Sequence, residues 1–358
     1  MTFDPQIPYD TLPLLPPKVN LETPAVWKAC NAATLSLARL SEALHLIPNP
    51  DILISSLSLL EAASSSEIEN IFTTCDSLYQ AMSTDLEHTD PSTKEVLNYR
   101  EALYAGFHDL QKNPQISEEM ITHVCSTILG KPVVRRNCGV YIGNEKSRVY
   151  TPPADAEVID TLLHQLAGYM NSPAEPDPLI CLALIHYQFE AIHPFIDGNG
   201  RTGRILNILY LIRQKRLALP VLYLSKFIIE NKSEYYRLLH NVTANGEFEE
   251  WVIFMLHALR ETADWTYEKV HAVYDLMKRT ADFCREKLPN HMYSYELVEL
   301  IFLQPYCKPK HLIDAGIGNR QTAMKYLKEL EALGVLSSQK ISREKVYVNK
   351  ALYALVSG

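Results

Sequence analysis

A twelve-residue segment, HPFIDGNGRTGR (193–204), separates two apolar helical sequences and constrains the fold of this chain more than any other feature. Before it, DPLICLALIHYQFE (177–190) opens with aspartate, a good helix cap, and with proline, which is tolerated at the first helical position. After it, RILNILYLIRQKRLA (204–218) repeats isoleucine and leucine at helical spacing. The sequence therefore predicts two helices joined by a glycine-rich loop.

The residue types in this loop favour the binding of an anion. The second helix is predicted to begin near Gly200 or Arg201, and the free N–H groups of its first turn would point back into the loop and attract phosphate. Gly198 and Gly200 let the backbone approach an anion closely. Arg201 and Arg204 lie three residues apart and share one helix face, where two guanidinium groups suit a polyphosphate. The pattern predicts a phosphate site, whereas a glycine-rich loop alone would indicate an ordinary turn.

Two further side chains add chemistry to this anion site. Asp197 offers a carboxylate oxygen, the kind of ligand that Mg²⁺ uses when it bridges a protein and phosphates. His193 stands at the loop entrance, and histidine suits a general base near neutral pH, although a lone histidine is more often structural. A metal site built on His186 and His193 lacks a third ligand at sensible spacing. Together the residues predict a nucleoside triphosphate, a metal ion and a base for a hydroxyl nucleophile.

Composition and charge limit the class of protein. The 358 residues are 47% hydrophobic and 21% charged, which suits two or three folded domains rather than a disordered chain. A net charge of −8 argues against nonspecific nucleic-acid binding by the whole chain. The cysteines are scattered and never spaced C-x-x-C, which favours a reducing cytoplasm. With no visible signal peptide and no membrane-spanning apolar run, we expect a cytoplasmic protein without a membrane partner.

Helical periodicity dominates the rest of the chain and predicts a mainly α fold. Upstream of the loop the exception is residues 133–153, where β-branched and aromatic residues flank a polar turn, GNEKS, and predict a β-hairpin. The proline-rich first twenty residues are expected to be extended and to lie over the body. The predicted helices cover 24–46, 51–63, 92–111, 117–129, 155–171, 177–190, 204–218, 231–243, 247–260 and 262–287.

The pattern changes near residue 292. SYELVELIF, KPKHLIDAG and NRQTAMKYLKELEALGVL predict three helices and SSQKISREKVYVNK predicts a hairpin, an order typical of a winged-helix module. Residues 293–358 hold nine Lys and Arg against six Asp and Glu, a mild excess for a DNA-binding surface. If the module binds DNA, Arg320, Gln321 and Lys325 would face the major groove. A module for protein contact or dimerisation stays an equal alternative.

The segment HPFIDGNGRTGR resembles the signature of the Fic family, H-P-F-x-[DE]-G-N-G-R-x-x-R, at every defined position. The resemblance extends over roughly residues 90–260. It implies a mainly α fold: a Fic-type helical bundle with a β-hairpin flap, here at 133–153, plus a C-terminal winged helix-turn-helix domain. The implied domains are an N-terminal helical region (1–90), a catalytic core (91–288) and the winged-helix module (289–358).

The resemblance also implies an activity. Most Fic proteins are adenylyltransferases, which transfer AMP from ATP to a Ser, Thr or Tyr hydroxyl of a protein and release pyrophosphate. The implied partners are therefore ATP with Mg²⁺ and an unknown target protein, and the chain itself is a further target. A homodimer is expected only because dimers are the commonest oligomers.

Within the segment the resemblance assigns a role to each residue. His193 would deprotonate the target hydroxyl, Phe195 would anchor the loop in the core, and Asp197 would hold Mg²⁺ against the α- and β-phosphates. Asn199 and the backbone of its flanking glycines would cradle the α-phosphate, and the two arginines would neutralise the rest. The implied ATP-binding set is Asp197, Gly198, Asn199, Gly200, Arg201, Thr202, Gly203 and Arg204.

A second stretch, SSEIEN (65–70), matches the inhibitory motif [ST]-x-x-x-E-[GN] of the Fic class that carries its own inhibitory helix, with Ser65, Glu69 and Asn70 at the defined positions. The resemblance implies that Glu69 pairs with Arg204 and blocks placement of the γ-phosphate, since a carboxylate there occupies the place of the anion. Ser66 and Glu69 also suit a capping box at a helix start. Both interpretations stay open here.

Two other places follow from the resemblance. In NKSEYYRLLHNV, Tyr235 and Tyr236 match a tyrosine pair that lines the adenine pocket in relatives, although core packing on a helix claims at least one of them. The flap would align the target peptide by strand addition along Val149, Tyr150 and Thr151.

Other reactions occur within the same fold: transfer of UMP or phosphocholine, phosphotransfer, and removal of AMP. Gly198 and Arg204 favour nucleotidyl transfer over the kinase-like variant, in which a bulkier residue precedes the asparagine. Removal of AMP, with Glu69 orienting a water, stays open. Regulation of transcription through DNA binding by the C-terminal module is the alternative from a different class of function.

Overall fold

The computed structural model describes residues 3–83, 89–144, 147–341 and 344–357, and the fold is mainly α, as predicted. The helices of these residues are α1 (Pro24–Ala43), α2 (Asp51–Ile68), α3 (Cys75–Ser83), α4 (Pro91–Lys112), α5 (Glu118–Leu129), α6 (Ala156–Asn171), α7 (Pro178–Ile192), α8 (Asn199–Arg213), α9 (Leu224–Glu230), α10 (Lys232–Asn245), α11 (Phe248–Lys287), α12 (Tyr295–Leu303), α13 (Pro309–Asp314), α14 (Arg320–Ala332) and α15 (Lys350–Val356). The strands are β1 (Ile142–Asn144), β2 (Ser147–Tyr150), β3 (Tyr306–Cys307), β4 (Ser337–Ile341) and β5 (Glu344–Val348). None of the described helices is long and apolar enough to cross a membrane.

Two apolar helices form the centre of the bundle. α7 begins at Pro178 with Asp177 as its cap, as predicted, and nearly all of its residues are buried. A helix that is hydrophobic on every side must pack on every side, and α1, α6, α8 and α11 all contact it. α8 packs in turn against α4 and α5. The junction of α7 and α8, which is the predicted loop, therefore lies at the end of two central helices, with Phe195 buried and Ile196 and Asp197 exposed.

The long helix α11 differs from the prediction. The sequence predicts helices at 247–260 and 262–287, but the structure has one helix of 40 residues, Phe248–Lys287. This stretch contains neither glycine nor proline, so nothing in the backbone forces a break. The hydroxyls of Thr262 and Thr266 donate to carbonyl groups one turn earlier, at 2.6 and 2.7 Å, and so remain compatible with the helix.

Helix α2 contradicts the capping-box interpretation. It continues to Ile68, well beyond the predicted 51–63, so Ser66 and Glu69 lie at its C-terminal end. The next helix begins only at Cys75. A capping box satisfies the free N–H groups of a helix start, and no helix starts here. That interpretation is wrong, and the motif belongs to the end of a buried helix.

The hairpin predicted at 133–153 is present but short. β1 and β2 pair antiparallel, with Ile142 opposite Tyr150. Residues 133–141 form no strand, because their backbone is bound elsewhere: the Val133 amide donates to the Ser126 hydroxyl at 3.0 Å, and the Arg136 amide donates to a carbonyl of the 193–204 segment at 3.0 Å. Part of the predicted turn is strand, and residues 145–146 lie outside the described residues.

The C-terminal part follows the predicted order of three helices and a hairpin. β5 also pairs with the short β3, so the sheet order is β3-β5-β4. The sequence predicts neither β3 nor α15, because elements this short are too brief to display a hydrophobic periodicity. This part docks on α2 and α3. The rings of Tyr79 and Tyr306 stack with centroids 5.9 Å apart, and the Tyr306 hydroxyl donates to Asp76.

The first residues of the described chain lie against the bundle, as expected. The Tyr9 amide donates to the Thr151 carbonyl at 3.0 Å, just after β2. The Gln188 side chain of α7 donates to the Pro13 carbonyl at 2.9 Å. The proline-rich segment therefore links the hairpin to the central helix.

Candidate active site

The loop between α7 and α8 turns on two residues with left-handed backbone conformation. His193 ends α7 with a φ of 50°, and Gly198 precedes α8 with a φ of 82°. Positive φ is easy for glycine but strained for histidine, so the surrounding contacts must hold His193. Residues 198–203 also spell G-x-G-x-x-G, but they follow a helix and not a strand, so they are no dinucleotide-binding fingerprint.

Asn199 holds the shape of the loop. Its Oδ1 accepts from the Phe195 amide at 2.9 Å, and its Nδ2 donates to the Phe195 carbonyl at 2.8 Å. Phe195 is fully buried, in agreement with its predicted anchoring role. Because Phe195 engages both polar atoms of the Asn199 amide, this side chain acts on the loop itself. Its contact with a phosphate stays a prediction.

Arg136 is a loop contact that the sequence analysis misses. It is 3% exposed, and its Nε donates to the His193 carbonyl at 2.7 Å. Its two terminal nitrogens donate to the carbonyls of Ile192 and Cys138, each at 3.0 Å. Nothing in VVRRNCG separates Arg136 from Arg135, which pairs with two carboxylates at the surface. Only the tertiary structure identifies Arg136.

A cavity of about 100 Å³ lies at the start of α8. Its lining comprises Glu69, His193, Ile196, Asp197, Gly198, Asn199, Gly200 and Arg201. The first amide groups of a helix have no partner within the helix and attract anions. As predicted, glycines, a helix start and His193 surround one small space.

Thr202 and Gly203 lie outside this cavity, in contrast with the prediction. The Thr202 amide already donates to the Gly198 carbonyl at 2.9 Å within the helix, and its side chain is fully buried. At Gly203 an added Cβ would lie 2.6 Å from Oε1 of Glu190 on α7. An amide in a helical hydrogen bond is unavailable to phosphate, and the close approach at Gly203 serves the packing of α8 against α7.

Arg201 is buried and already paired. Its Nη1 contacts Glu95 of α4, a residue that the sequence analysis does not identify, and its Nη2 lies 3.4 Å from Oδ1 of Asp197. The Arg201 side chain is 2% exposed. A phosphate that approaches this arginine would share it with two carboxylates. Its phosphate-binding role stays a prediction.

Arg204 contacts Glu69, as the sequence predicts. Its Nη2 donates to Oε1 of Glu69 at 2.7 Å and to the Ser65 carbonyl at 2.9 Å, and its Nε donates to the Ser65 hydroxyl at 2.8 Å. Burial alone would raise the pKa of Glu69, but Arg204 outweighs it and holds that pKa below its ordinary value. Burial likewise opposes the charge of Arg204, and Glu69 raises the pKa of Arg204 in spite of it. Both partners are therefore ionised.

The end of α2 explains the spacing within the 65–70 motif. Ser65 and Glu69 are four residues apart and so share the helix face that meets Arg204. Asn70 has a φ of 63°, and its amide and the next one donate to carbonyls of the last helical turn at 2.9 and 3.0 Å. This Schellman ending requires a residue that tolerates left-handed conformation, usually glycine or asparagine. The last motif position thus ends α2 directly after Glu69.

His193 lines the cavity. Its Nδ1 is buried and has no hydrogen-bond partner among the described residues. Burial, assisted by the positive charge of Arg136, lowers the pKa of His193 to about 4. The ring is therefore neutral near pH 7 and can accept a proton, as a general base must.

The two tyrosines predicted for the adenine pocket occupy different environments. Tyr235 is 1% exposed, and its hydroxyl lies 2.8 Å from Nε2 of His186. The other ring nitrogen of His186 lies 3.1 Å from the Asn207 amide nitrogen, and burial lowers the pKa of His186 to about 3. Tyr236 is 44% exposed. Tyr235 is thus a core residue bound to a neutral histidine, as the core-packing alternative expects, and its place in an adenine pocket stays a prediction.

A groove of about 290 Å³ lies between the hairpin and helices α7 and α10. Its lining comprises Ile142, Gly143, Val149, Tyr150, Tyr187, Glu190, Ala191, Tyr236, Leu239, His240 and Thr243. Glu190 is the acidic residue of this mainly apolar lining, and burial raises its pKa to about 7. No sequence motif indicates Glu190. Groove and cavity both border the C-terminal end of α7.

The three predicted flap residues also occupy different environments. Val149 is 46% exposed on β2. The Tyr150 hydroxyl donates to a main-chain carbonyl of α7 at 2.7 Å, and its ring is buried. The Thr151 hydroxyl donates to the Pro5 carbonyl at 2.6 Å, and the Thr151 carbonyl accepts from Tyr9. Strand addition as far as Thr151 would therefore displace the N-terminal segment, which restricts the prediction to the residues before it.

Two carboxylates line the cavity; Glu69 binds Arg204, so Asp197 is the one that the lining offers to Mg²⁺. The Asp197 side chain is 68% exposed beside the cavity, and its Oδ1 accepts from the Gly198 amide at 2.6 Å. In the described parts of the chain, no group of three or more His, Cys, Asp and Glu side chains could hold a metal ion. This donor set fits an ion that arrives on a nucleotide and keeps phosphate and water ligands. It does not fit an ion held by the protein alone.

Three family models match the chain. Residues 27–108 match the Fic/DOC family N-terminal model, and residues 90–211, which include the hairpin, α7 and most of α8, match the Fic/DOC family model. The chain belongs to the Fic/DOC family. Residues 276–352 match the C-terminal domain of SoFic-like protein adenylyltransferases. The resemblance found in the sequence is confirmed.

Curated Fic proteins match about a third of this chain. Protein adenylyltransferase fic-1 of Caenorhabditis briggsae is 35% identical over 122 residues, 34% of this chain and 22% of that protein. Protein adenylyltransferase Fic of Drosophila willistoni is 32% identical over 132 residues, 36% of this chain and 24% of that protein. The chain thus spans about a quarter of the length of the curated relatives it matches.

Solved structures of Fic proteins share the fold. A Fic family protein from Desulfovibrio desulfuricans G20 aligns with a TM-score of 0.58 at 22% identity, over 93% of this chain and 98% of that one. Fic-1 from C. elegans aligns with a TM-score of 0.54 at 19% identity, over 72% of this chain and 75% of that one. The helical bundle described above is therefore that of the Fic fold.

Proposed function

We propose that the chain transfers AMP from ATP to a hydroxyl group of a protein side chain and releases pyrophosphate. The observation that carries this proposal is the neutral imidazole of His193 at the edge of a small anion cavity formed by the start of α8. The apolar groove at the same end of α7 suits an adenine base. The matched relatives named protein adenylyltransferase support the same reaction.

Each group has a step in this reaction. His193 takes the proton from a Ser, Thr or Tyr hydroxyl, and the oxygen attacks the α-phosphorus. The bond from the α-phosphorus to the oxygen that bridges it to the β-phosphate breaks, and pyrophosphate leaves with the electron pair. The first amide groups of α8 stabilise the charge on the α-phosphate. Asp197 would be the protein ligand of a Mg²⁺ that arrives with ATP and offsets the phosphate charge.

We also propose that Glu69 keeps the enzyme inactive. Glu69 lines the same cavity, and a Cβ added to Gly200 would collide with its carboxylate, so Glu69 lies directly against the first turn of α8. An ionised carboxylate repels a phosphate at this distance, and Arg204 is unavailable while it binds Glu69. A shift of the end of α2 would open the anion site and release Arg204.

ATP labelled at the α-phosphorus tests both proposals. Glu69→Gly is expected to increase the label on the chain itself or on a lysate protein, and adding His193→Ala is expected to abolish it. Transfer of label only from γ-labelled ATP would show phosphotransfer instead. Loss of AMP from a modified protein would show the reverse reaction. A Glu69→Gly protein that binds ATP but labels no protein would contradict the AMP-transfer proposal.

A second candidate function, DNA binding by the C-terminal part, is supported by the surface of α14. Arg320, Gln321 and Lys325 are exposed there, and the order of three helices before the β4–β5 hairpin resembles that of a winged helix. Among the described residues, neither Arg320 nor Lys325 forms a salt bridge, whereas Lys345 of the hairpin pairs with Glu331. Binding to DNA fragments that weakens with salt would support this function. No binding at low salt would favour a protein-contact module.

A further inference from the structure

Arg136 belongs to none of the sequence motifs, yet it binds the start of the loop, at the end of α7. We propose that Arg136 is a positioning residue that holds His193 in its left-handed conformation and disfavours a second positive charge on the imidazole. The inference rests on the proposed function, in which His193 is the base. It would make the segment before the hairpin part of the active site.

The geometry places four donors of one residue on the loop and the flap. The Arg136 amide donates to the Pro194 carbonyl at 3.0 Å, and its Nε donates to the His193 carbonyl at 2.7 Å. One terminal nitrogen donates to the Ile192 carbonyl and the other to the Cys138 carbonyl, both at 3.0 Å. Three consecutive carbonyls, from 192 to 194, are thus fixed by Arg136.

This arrangement compensates the strain at His193. A left-handed conformation costs a non-glycine residue about 1–2 kcal/mol, and the last carbonyls of α7 have no partner within the helix. The planar guanidinium of arginine binds several carbonyls at once in fixed directions, which the ammonium group of lysine cannot do. A cation at the C-terminal end of a helix is also favoured by the helix dipole. Arginine therefore suits this position better than any other cation.

The charge of Arg136 is balanced by carbonyl dipoles. In the described part of the chain Arg136 forms no salt bridge, and it is 3% exposed, so water screens it little. The groups that act on the His193 imidazole are Arg136, the Glu190 carbonyl, Glu69 and Asp197. The last three favour the protonated ring and Arg136 opposes it. Removing the guanidinium charge leaves burial as the remaining influence against protonation, so the pKa of His193 should rise.

Three variants test the proposal in the Glu69→Gly background. Arg136→Met removes the charge and the donors but keeps an unbranched chain, with Arg136→Gln as the substitute if it fails to fold. Arg136→Lys keeps the charge with fewer fixed donors. Arg135→Met is the matched control, because its guanidinium pairs with surface carboxylates. Thermal unfolding of each variant separates loss of fold from loss of function.

The first readout is independent of AMP transfer. NMR of ring-labelled histidine follows the titration of His193, whose signal is assigned by its loss in His193→Gln. The pKa of His193 should rise in Arg136→Met or Arg136→Gln and stay close to its original value in Arg136→Lys and Arg135→Met. An unchanged pKa in a folded Arg136→Met or Arg136→Gln protein overturns the proposal.

The second readout is the pH profile of AMP transfer. In Arg136→Met the acid limb of kcat should move to higher pH, and kcat near pH 7 should fall about 10- to 100-fold with the KM for ATP unchanged. Partial rescue in Arg136→Lys is expected. A rise in the KM for ATP as large as the fall in kcat, with no shift of the acid limb, would contradict a positioning role. If Glu69→Gly transfers no AMP, the proposed function fails, and the NMR titration still decides the role of Arg136.

Discussion

The carboxylate of Glu69 accepts a hydrogen bond from Nη2 of Arg204 at 2.7 Å and joins the end of α2 to α8. Arg204 is 1% exposed and also binds the hydroxyl and carbonyl of Ser65. A hydrogen bond to a charged group contributes about 1.5–3 kcal/mol. Whether Arg204 is available to a ligand therefore depends on the position of α2 as well as on the loop.

Removing the charge of Glu69 should strengthen ATP binding. Glu69→Gln keeps the size of the side chain and an acceptor oxygen but no longer repels phosphate, so affinity should rise about tenfold or more, equivalent to ~1.4 kcal/mol. Calorimetry with ATP and Mg²⁺ in a His193→Ala background measures this without turnover. Glu67→Gln, exposed on the same helix, is the control and should change nothing. Equal affinities of Glu69→Gln and its parent would contradict the prediction.

Substitution of Tyr235 should lower the stability of the protein, whereas substitution of Tyr236 should weaken its binding of ATP. Tyr235→Phe leaves Nε2 of the buried His186 without its partner and should cost about 1–3 kcal/mol of unfolding free energy, with the KM for ATP unchanged. Tyr236→Ala should leave stability nearly unchanged and raise the KM for ATP. Denaturant unfolding and kinetics in the Glu69→Gly background measure both. A similar rise of KM in Tyr235→Phe would show that Tyr235 also contributes to the groove.

The carboxyl group of Glu190 should make stability depend on pH. Burial raises its pKa to about 7 in the folded protein, whereas the pKa of a glutamate in an unfolded chain is about 4.3. Between these values the folded state keeps a proton that the unfolded state has lost, so the contribution of this group is full at low pH and is lost as pH rises through 7. Relative to Glu190→Gln, the unfolding free energy of the parent should fall across this window. A constant difference in unfolding free energy between the parent and Glu190→Gln across this window would refute the prediction.

Glu61 should control the placement of α2. It is 1% exposed, two turns before Glu69, and accepts from the Ser225 amide at 2.8 Å, the Ser225 hydroxyl at 2.5 Å and the Tyr99 hydroxyl at 3.1 Å. Glu61→Gln replaces one acceptor by a donor inside this network and should cost about 1–3 kcal/mol. Because α2 is then held less firmly, AMP transfer should increase.

Tyr99→Phe, which removes only the longest of these hydrogen bonds, serves as the milder comparison for Glu61→Gln. Denaturant unfolding and α-labelled ATP measure the two effects together. A Glu61→Gln protein with the stability and activity of its parent would show that this network does not place α2.

Local sequence patterns were sufficient for most elements of the fold. Asp177, Pro178 and the apolar periodicity that follows determine α7, and the glycine-rich loop and the start of α8 are equally readable, because capping, spacing and backbone preference are properties of neighbouring residues. The same information fails where a boundary depends on distant partners. Val133 forms no strand, because its amide donates to the Ser126 hydroxyl. The 65–70 motif ends a helix instead of starting one.

Only the tertiary structure decided which side chains act together. Arg135 and Arg136 are adjacent and identical in type, yet one pairs at the surface and the other binds the loop between α7 and α8. Successive residues on a helix point about 100° apart, so one of two neighbouring tyrosines can enter the core while the other lines a groove. The sequence resemblance named the Glu69–Arg204 pair, but its burial and its third partner exist only once α2 packs beside α8. Local sequence sets backbone preferences and helix faces, whereas burial and protonation are set by residues far apart in the chain.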